Sequence, residues 1–509
     1  MVSSRKWRLK INTISSLIFQ LTSIICGFVL PRLILKQFGS QVNGLVNSVT
    51  QFLHIITFLE LGVGAVVQSA LYKPLAEKDD IQISRIIRSA SKFFSQIAFI
   101  LLGYVIVLVI IYPILVNRDF DHFYTATLIL AMCISSFAQY YFGVVDRLLL
   151  SADQRGYIQY NAQTITLILN TLSCAILIKL GASIHLVKLT TSVVYLLRPI
   201  FLRAYVNKNY NIDRRIEYSG EPIKQKWNGI AQHIAAVVLD QTDIIVLTSL
   251  STLTNVSVYS VYHLVVYGVK SIFLSLTNGI QSLMGEMLAK SEFDKLKKLF
   301  GWTEWLIHTF TILIFGITGI LVVPFISVYT KGINDANYIV PVFAALITIA
   351  NAGHCLRLPY NILILAAGHY KQTQWNYIIA ALMNILISVV TVQAWGLVGV
   401  AIGTLCAMFY QTIWMAFYDS KQILNIPIGS FIKHLVVDLL TVVIGSFLTF
   451  WIPLRSETYV SWIILAIIDT IIWGLVVTGV NFIIYRVYMA KVVIAIRKKI
   501  SSFFIRRSV

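Results

Sequence analysis

Long apolar stretches separated by short polar turns recur along the whole chain. A helix needs roughly 20 residues to cross the hydrocarbon core of a bilayer, and about fourteen stretches reach that length. The pattern therefore predicts an all-α polytopic membrane protein with about fourteen transmembrane helices. Their predicted limits are 11–36, 42–72, 86–116, 122–149, 156–179, 183–206, 227–250, 255–288, 299–329, 337–366, 373–394, 396–419, 430–452 and 459–487.

The Lys and Arg residues are distributed unevenly over the polar turns. If the N-terminus lies inside, 30 of the 41 fall in inside segments and five in outside segments. Cytoplasmic loops are enriched in these residues, so an even number of spans with both termini in the cytoplasm is predicted. The basic N-terminal residues precede an apolar run without a small-x-small cleavage site, and we expect that run to be the first span, not a signal peptide.

Composition supports a membrane protein and argues against a nucleic-acid partner. The chain has 509 residues, of which 57% are hydrophobic and 12% charged, with a formal net charge of +19. Soluble domains are about 25% charged. Because the basic residues are scattered between apolar segments, we expect them to contact anionic membrane lipids rather than nucleic acid.

Two short blocks recur at an offset of 215 residues. The Phe-Leu-x-Leu pattern and following glycine at 58–64 match 273–279, and the Gln-aromatic-Asn triplet at 159–161 matches 374–376. The repeat predicts two pseudo-symmetric six-helix bundles, each with the same topology. The predicted domains are a first bundle at 1–206, a cytoplasmic linker at 207–226, a second bundle at 227–429, and two further helices with a basic tail at 430–509.

Four segments resemble one known family. The run 30–79, RPIFLRAYVNKNYNID (198–213), LDQTDIIVLTSL (239–250) and LPYNILILAAGHYKQTQWN (358–376) are similar to helices of Gram-positive polysaccharide flippases, in the multidrug/oligosaccharidyl-lipid/polysaccharide exporter superfamily. The resemblance implies two six-helix bundles around a central cavity, with two C-terminal helices beside them. It also implies alternating-access transfer of undecaprenyl-pyrophosphate-linked oligosaccharides across the bacterial cytoplasmic membrane, for capsule or exopolysaccharide assembly, alongside polymerase and glycosyltransferase partners.

Ionisable residues inside a span are costly in lipid and usually face a cavity or a partner. The cations within or beside the predicted spans include Arg198, Lys270, Arg32, Lys188 and Arg357. We predict that the first four contact pyrophosphate or glycan, since arginine can grip a phosphate with two hydrogen bonds. Two alternatives are open: Arg198 and Lys270 could form structural ion pairs, and Arg32, Lys188 and Arg357 could extend to the lipid headgroups.

Three acids also lie within the predicted spans. Asp240 and Asp243 are three residues apart and share one helix face, and Glu60 lies in the predicted second span. They could bind a coupling ion, H⁺ or Na⁺, pair with Lys270 or Arg198 as a gate, or accept hydrogen bonds from sugar hydroxyls.

No catalytic grouping is recognisable, so we expect neither an enzyme nor a cofactor. The nine histidines are isolated along the chain, and no close cysteine pair indicates a metal site. Two other functions compete with the flippase. A cation-coupled multidrug exporter of the same superfamily typically has twelve helices and a less cationic lumen. A membrane polysaccharide polymerase would need a large outer loop or a catalytic domain.

Overall fold

The protein is helical throughout its described part. The structure, a computed structural model, describes residues 2–55, 58–116, 119–218, 220, 223, 230–452 and 458–494, and no strand occurs within these ranges. Large apolar side chains such as Ile114, Val390 and Leu475 are more than 60% exposed. Such exposure suits helices whose outer faces contact lipid. The predicted all-α membrane class is confirmed.

Fifteen α-helices lie within the described residues, and most of their bounds are close to the predicted spans. They are α1 (Val2–His54), α2 (Phe58–Glu77), α3 (Asp80–Leu115), α4 (His122–Ala138), α5 (Val144–Ala152), α6 (Gly156–Lys179), α7 (Ile184–Asn209), α8 (Ile230–Leu250), α9 (Leu253–Ala289), α10 (Phe293–Tyr329), α11 (Pro341–Ala366), α12 (Tyr370–Trp395), α13 (Leu397–Tyr418), α14 (Gly429–Phe450) and α15 (Tyr459–Ile484). Short π turns follow α4 at Gln139–Gly143 and α13 at Asp419–Leu424.

Twelve helical stretches in the described part of the chain are long and apolar enough to cross a bilayer. Two predicted spans are not among them. The predicted span 42–72 is divided between the end of α1 and α2, and the predicted span 227–250 corresponds to α8, several of whose side chains lie outside the described part. The predicted count of fourteen is therefore approximate.

Gly39 divides α1 into a first arm, residues 2–38, and a second arm, residues 40–54. Its φ of 81° and ψ of 176° lie in a region that only glycine adopts readily. The carboxylate of Asp335 accepts hydrogen bonds from the Ser40 backbone N–H at 2.6 Å and from the Ser40 hydroxyl at 2.7 Å. An acceptor at the start of the second arm satisfies a donor that the helix itself leaves open.

We expect Gly39→Ala to lower the stability of the protein by about 1–3 kcal/mol, because the alanine would hold an unfavourable backbone conformation. Its Cβ would also lie 2.8 Å from Asp335 Oδ2. Thermal unfolding of the detergent-solubilised protein measures the change. Gly103→Ala is the matched control, since a Cβ at Gly103 in α3 meets no atom within 4 Å. Equal unfolding midpoints for the two variants would contradict the expectation.

The chain forms two compact units. Unit 1 comprises residues 1–260, 332–336 and 392–396, and unit 2 comprises 261–331, 337–391 and 397–509. The division falls within α9 and not in the predicted linker at 207–226. The predicted pseudo-symmetric bundles about a central cavity, with boundaries at 206 and 227, stay a prediction.

Within unit 1, the second arm of α1 lies directly against the turn between α8 and α9. The Asn43 amide donates to the Ser257 hydroxyl at 2.8 Å, and the Ser48 and Thr248 hydroxyls are 2.6 Å apart. A Cβ on Gly44 would come within 1.8 Å of the Leu253 carbonyl oxygen. This backbone-to-backbone approach therefore requires glycine at position 44.

Within unit 2, the last two described helices pack against the others through α10. Both α14 and α15 contact α10, while α11 lies between α10 and α13. Trp473 of α15 is buried against Gly316 of α10 and Gly445 of α14, where a Cβ would overlap its ring. The predicted pair of extra C-terminal helices is thus joined to unit 2 by close packing.

Candidate functional site

Unit 1 encloses a cavity of about 420 Å³ among α1, α4, α5, α6 and α7. Amides and hydroxyls from several of these helices line it, including Gln139, Gln159, Asn170, Thr191 and Ser192. Lipid offers no hydrogen bonds, so polar side chains within a membrane bundle are placed toward one another or toward such a space. We call this space the cationic cavity because of the charges described next.

Three cations line the cationic cavity: Arg147, Lys188 and Arg198. Its described lining contains no Asp and no Glu. Arginine keeps its charge at any pH that a protein tolerates. The electrostatic potential within the cavity is therefore positive, and the cavity is suited to an anion.

Arg198 is held in place by two neighbours. Its Nε donates to the Thr166 hydroxyl of α6, and its guanidinium lies 4.0 Å from the centre of the Tyr195 ring. The Asn170 amide donates in turn to the Tyr195 hydroxyl at 3.4 Å. A stacked guanidinium with a fixed orientation presents its planar fork with less loss of side-chain entropy on binding.

Two irregular helix segments meet beside Arg198. Pro199 removes a backbone donor from α7, and the π turn at Gln139–Gly143 interrupts the regular helix after α4. A Cβ on Gly143 would lie 2.9 Å from Pro199 Cβ, so the two segments are in close contact. A proline inside a span can be read directly from the sequence, whereas the π turn has no comparable sequence signal.

Arg147, near the end of the predicted span 122–149, is a third cation of the cavity and was not among the predicted substrate cations. Its neighbour Asp146 is fully buried and pairs with Arg214 at 2.7 Å and Arg203 at 3.5 Å. Because successive residues of a helix point in different directions, fixing Asp146 toward those arginines turns Arg147 toward the cavity. Two adjacent opposite charges in an apolar segment were the available signal.

The four predicted substrate cations are not all brought together. Arg198 and Lys188 share the cationic cavity. Lys270 belongs to unit 2, where it is buried with its Nζ 5.2 Å from the Tyr267 ring centre, and Arg32 is half-buried in α1 and is not among the lining residues. Arg357 does not extend to the headgroups, since it is buried and lies 3.1 Å from His354 Nδ1.

Of the predicted acids, only Asp243 has a described side chain. It is buried and accepts a hydrogen bond from the Tyr259 hydroxyl at 2.8 Å. The side chains of Asp240 and Glu60 lie outside the described part of the structure. The ion-coupling, gating and sugar-binding roles of all three acids stay predictions.

The histidines are isolated along the chain, but two of them meet in the fold. The rings of His308 and His434 have their centres 4.9 Å apart in unit 2, although 126 residues separate them in sequence. His308 lies four residues after Glu304, and His434 lies four residues before Asp438. Such spacing places both groups on one helix face and was a readable signal.

The sequence matches no family model and no curated protein. The structure, in contrast, is similar to solved transporters. It superposes on the lipid II flippase MurJ in an inward closed conformation with a TM-score of 0.71 and 16% identity, over 94% of this chain and 100% of that one.

Transporters of the MATE group are also similar. An inward-facing multidrug resistance transporter of the MATE family of the MOP superfamily gives a TM-score of 0.57 at 14% identity, over 81% of this chain and 98% of that one. The eukaryotic MATE transporter AtDTX14 gives 0.60 at 11% identity, over 86% and 98%. The chain therefore has the fold of the multidrug/oligosaccharidyl-lipid/polysaccharide exporter superfamily, which the sequence resemblance predicted.

Proposed function

We propose that the protein is a flippase in the bacterial cytoplasmic membrane that translocates oligosaccharides linked to undecaprenyl pyrophosphate, for capsule or exopolysaccharide assembly. The observation that carries the proposal is the cationic cavity, with Arg147, Lys188 and Arg198 and no described acid in its lining. A substrate of this class combines a polar glycan, an anionic pyrophosphate and an isoprenoid tail. We also propose that both termini lie in the cytoplasm and that the protein works alongside a polymerase and glycosyltransferases.

The chemistry of the cavity suits the pyrophosphate part of such a substrate. Arg198, oriented by Thr166 and Tyr195, would grip a phosphate with paired hydrogen bonds, and Lys188 would act as a point charge. A volume of about 420 Å³ lies within the range of small-molecule pockets. It would hold the pyrophosphate and the first sugar, while amides such as Gln159 and Asn170 bind sugar hydroxyls.

The comparisons support a carrier of lipid-linked cargo over a drug exporter. The likeness to the lipid II flippase extends over 94% of this chain, and that to the multidrug transporters over 81% to 86%. A cation-coupled multidrug exporter remains the second candidate, favoured by the fold that it shares with those transporters. Such an exporter is expected to have a less cationic lumen, and the positive cavity would repel a cationic cargo.

Transport in reconstituted vesicles tests the proposal. Liposomes containing the purified full chain would receive a fluorescent polyprenyl-pyrophosphate disaccharide in one leaflet, and a membrane-impermeant quencher would report its transfer. We expect transfer above that of protein-free vesicles, together with no uptake of ethidium, a cationic drug. Ethidium transport without transfer of the lipid-linked sugar would overturn the proposal in favour of the exporter.

A further inference from the structure

Unit 2 contains a connected chain of buried titratable side chains that the cationic cavity does not include. Glu304 and His308 lie on α10, Tyr360 on α11, and His434 and Asp438 on α14, all 9% exposed or less. The Tyr360 hydroxyl donates to Glu304 Oε1 at 2.7 Å and lies 3.4 Å from His308 Nε2. His308 Nδ1 lies 2.6 Å from Asp438 Oδ2.

These distances indicate which atoms can share a hydrogen. At 2.6 Å, one of His308 Nδ1 and Asp438 Oδ2 must carry a hydrogen, because two facing lone pairs would repel. Because Tyr360 gives its hydrogen to Glu304, a hydrogen bond over the 3.4 Å to His308 Nε2 would have to be donated by the imidazole. In a state with hydrogens on both ring nitrogens, the His308–Asp438 pair would hold one proton more than a neutral imidazole beside a carboxylate.

Other titratable and charged groups lie beside these hydrogen-bonded side chains, on the segments packed against them. His434 Nε2 lies 3.7 Å from Glu304 Oε2, and the Tyr485 hydroxyl lies 2.8 Å from His434 Nδ1. Lys433 Nζ lies 5.0 Å from the Tyr485 ring centre, and Tyr488 packs edge-on against the same ring.

Asp419, from the π turn after α13, is buried, and neither of its carboxylate oxygens has a hydrogen-bond partner among the described residues. It shares a void of about 10 Å³ with Glu304, Tyr360 and Ser430. A void of that volume holds about one water molecule. Glu304 and Asp419 therefore border a near-dry void, where unshared charge is costly.

We propose that the Glu304–Tyr360–His308–Asp438 chain is a proton-binding site, and that binding and release of its proton accompany the transport cycle. The second part rests on the proposed transport function. Binding takes one proton from water onto the His308–Asp438 pair, and release returns it, with no electron transferred. After release, His308 Nε2 becomes an acceptor, and the Tyr360 hydrogen turns from Glu304 to His308. Loss of the proton thus leaves one hydrogen bond in place of two between α10 and α11, and it turns the charge-paired contact between α10 and α14 into one between a neutral imidazole and a carboxylate.

A proton is the ligand that fits these groups. Among the described residues, no cluster of three or more His, Cys, Asp or Glu could hold a metal ion. The imidazole is the side chain whose charge changes between about pH 5 and 8, which makes it the natural centre of such a site.

Two measurements on the full chain test the proposal. The first is infrared difference spectroscopy of the purified protein between about pH 5 and 8, the range in which imidazoles titrate. We expect carboxyl and imidazole bands in the wild type that are lost in Asp438→Asn and altered in Tyr360→Phe, a variant that removes one hydroxyl and keeps the ring. Asp294→Asn is the control, because Asp294 is an exposed acid in the first turn of α10 and lies outside the hydrogen-bonded network. Bands that persist unchanged in both network variants would overturn the proton site.

The second measurement is the rate of disaccharide-lipid transfer in vesicles as a function of pH. We expect a pH-dependent wild-type rate, the same profile in Asp294→Asn, and a flattened profile in Tyr360→Phe and Glu304→Gln at equal protein content. A wild-type profile retained by both network variants would overturn the coupling. If the wild type transfers no substrate at all, the proposed function fails, whereas the infrared measurement still decides the proton site.

Discussion

Replacing Arg198 by glutamine is expected to reduce the transfer of a polyprenyl-pyrophosphate disaccharide roughly 10- to 100-fold. The variant loses charge-assisted hydrogen bonds to phosphate, which contribute about 1.5–3 kcal/mol. It also loses the stacking on Tyr195. Arg198→Lys keeps the charge without the planar fork, so an intermediate rate is expected. Transfer is measured in vesicles at several substrate concentrations, which separates weaker binding from slower turnover.

Lys179→Gln serves as the matched control for Arg198→Gln. Lys179 lies exposed at the end of α6, in the same unit, and does not line the cationic cavity. The Lys179→Gln substitution removes one positive charge from unit 1. It is expected to leave transfer within twofold of the wild type, because salt screens a charge on the solvent-exposed surface. If Arg198→Gln and Lys179→Gln behave alike at equal abundance, the cationic cavity is not the pyrophosphate site.

Gly44→Ala is expected to destabilise the protein by about 3 kcal/mol or more, among the larger effects of a single methyl group. The added Cβ would meet the Leu253 carbonyl oxygen at 1.8 Å, and a backbone atom cannot move aside as a side chain can. The second arm of α1 would have to shift by more than 1 Å, a distance that follows from ordinary van der Waals separation. The nearby hydrogen bonds Asn43–Ser257 and Ser48–Thr248 would then lengthen too.

The unfolding midpoint of the purified protein, followed by tryptophan fluorescence, measures the effect of Gly44→Ala. Gly268→Ala in α9 is the control, because a Cβ there has no neighbour within 4 Å and alanine favours helix. A midpoint for Gly44→Ala that equals the control's would mean that the second arm and the α8–α9 turn are not held this closely in solution.

The helices could be predicted well because their signal is local. An apolar run of sufficient length has few structural options in lipid, so α6, predicted at 156–179, is found at Gly156–Lys179. The kink in α1 was harder to place. The polar break between the predicted spans 11–36 and 42–72 contains Gly39. The sequence around it does not reveal that the carboxylate of Asp335 accepts a hydrogen bond at the start of the second arm.

The candidate site was predicted only in part because its members depend on side-chain direction. Arg198 and Lys188 stand out as charges inside apolar spans, whereas Arg147 lies near the end of the predicted span 122–149, where a cation is ordinary. The His308–Asp438 contact joins residues 130 positions apart, and no local pattern fixes that pairing. The four-residue spacing within each helix, Glu304 to His308 and His434 to Asp438, shows only that each helix has a titratable face.

The absence of carboxylates from the described lining of the cationic cavity has an energetic consequence for a working carrier. A bound pyrophosphate diester would offset the charges of Arg147 and Arg198 and leave Lys188 as the uncompensated cation of the described lining, so the loaded protein would rearrange with less net charge than the empty one. After delivery, the same arginines remain charged, and the return step becomes electrogenic. Moving one charge through 100 mV is worth about 2.3 kcal/mol. An inside-negative membrane potential would therefore pull the emptied carrier back toward the cytoplasm, which would give the cycle a direction without nucleotide hydrolysis.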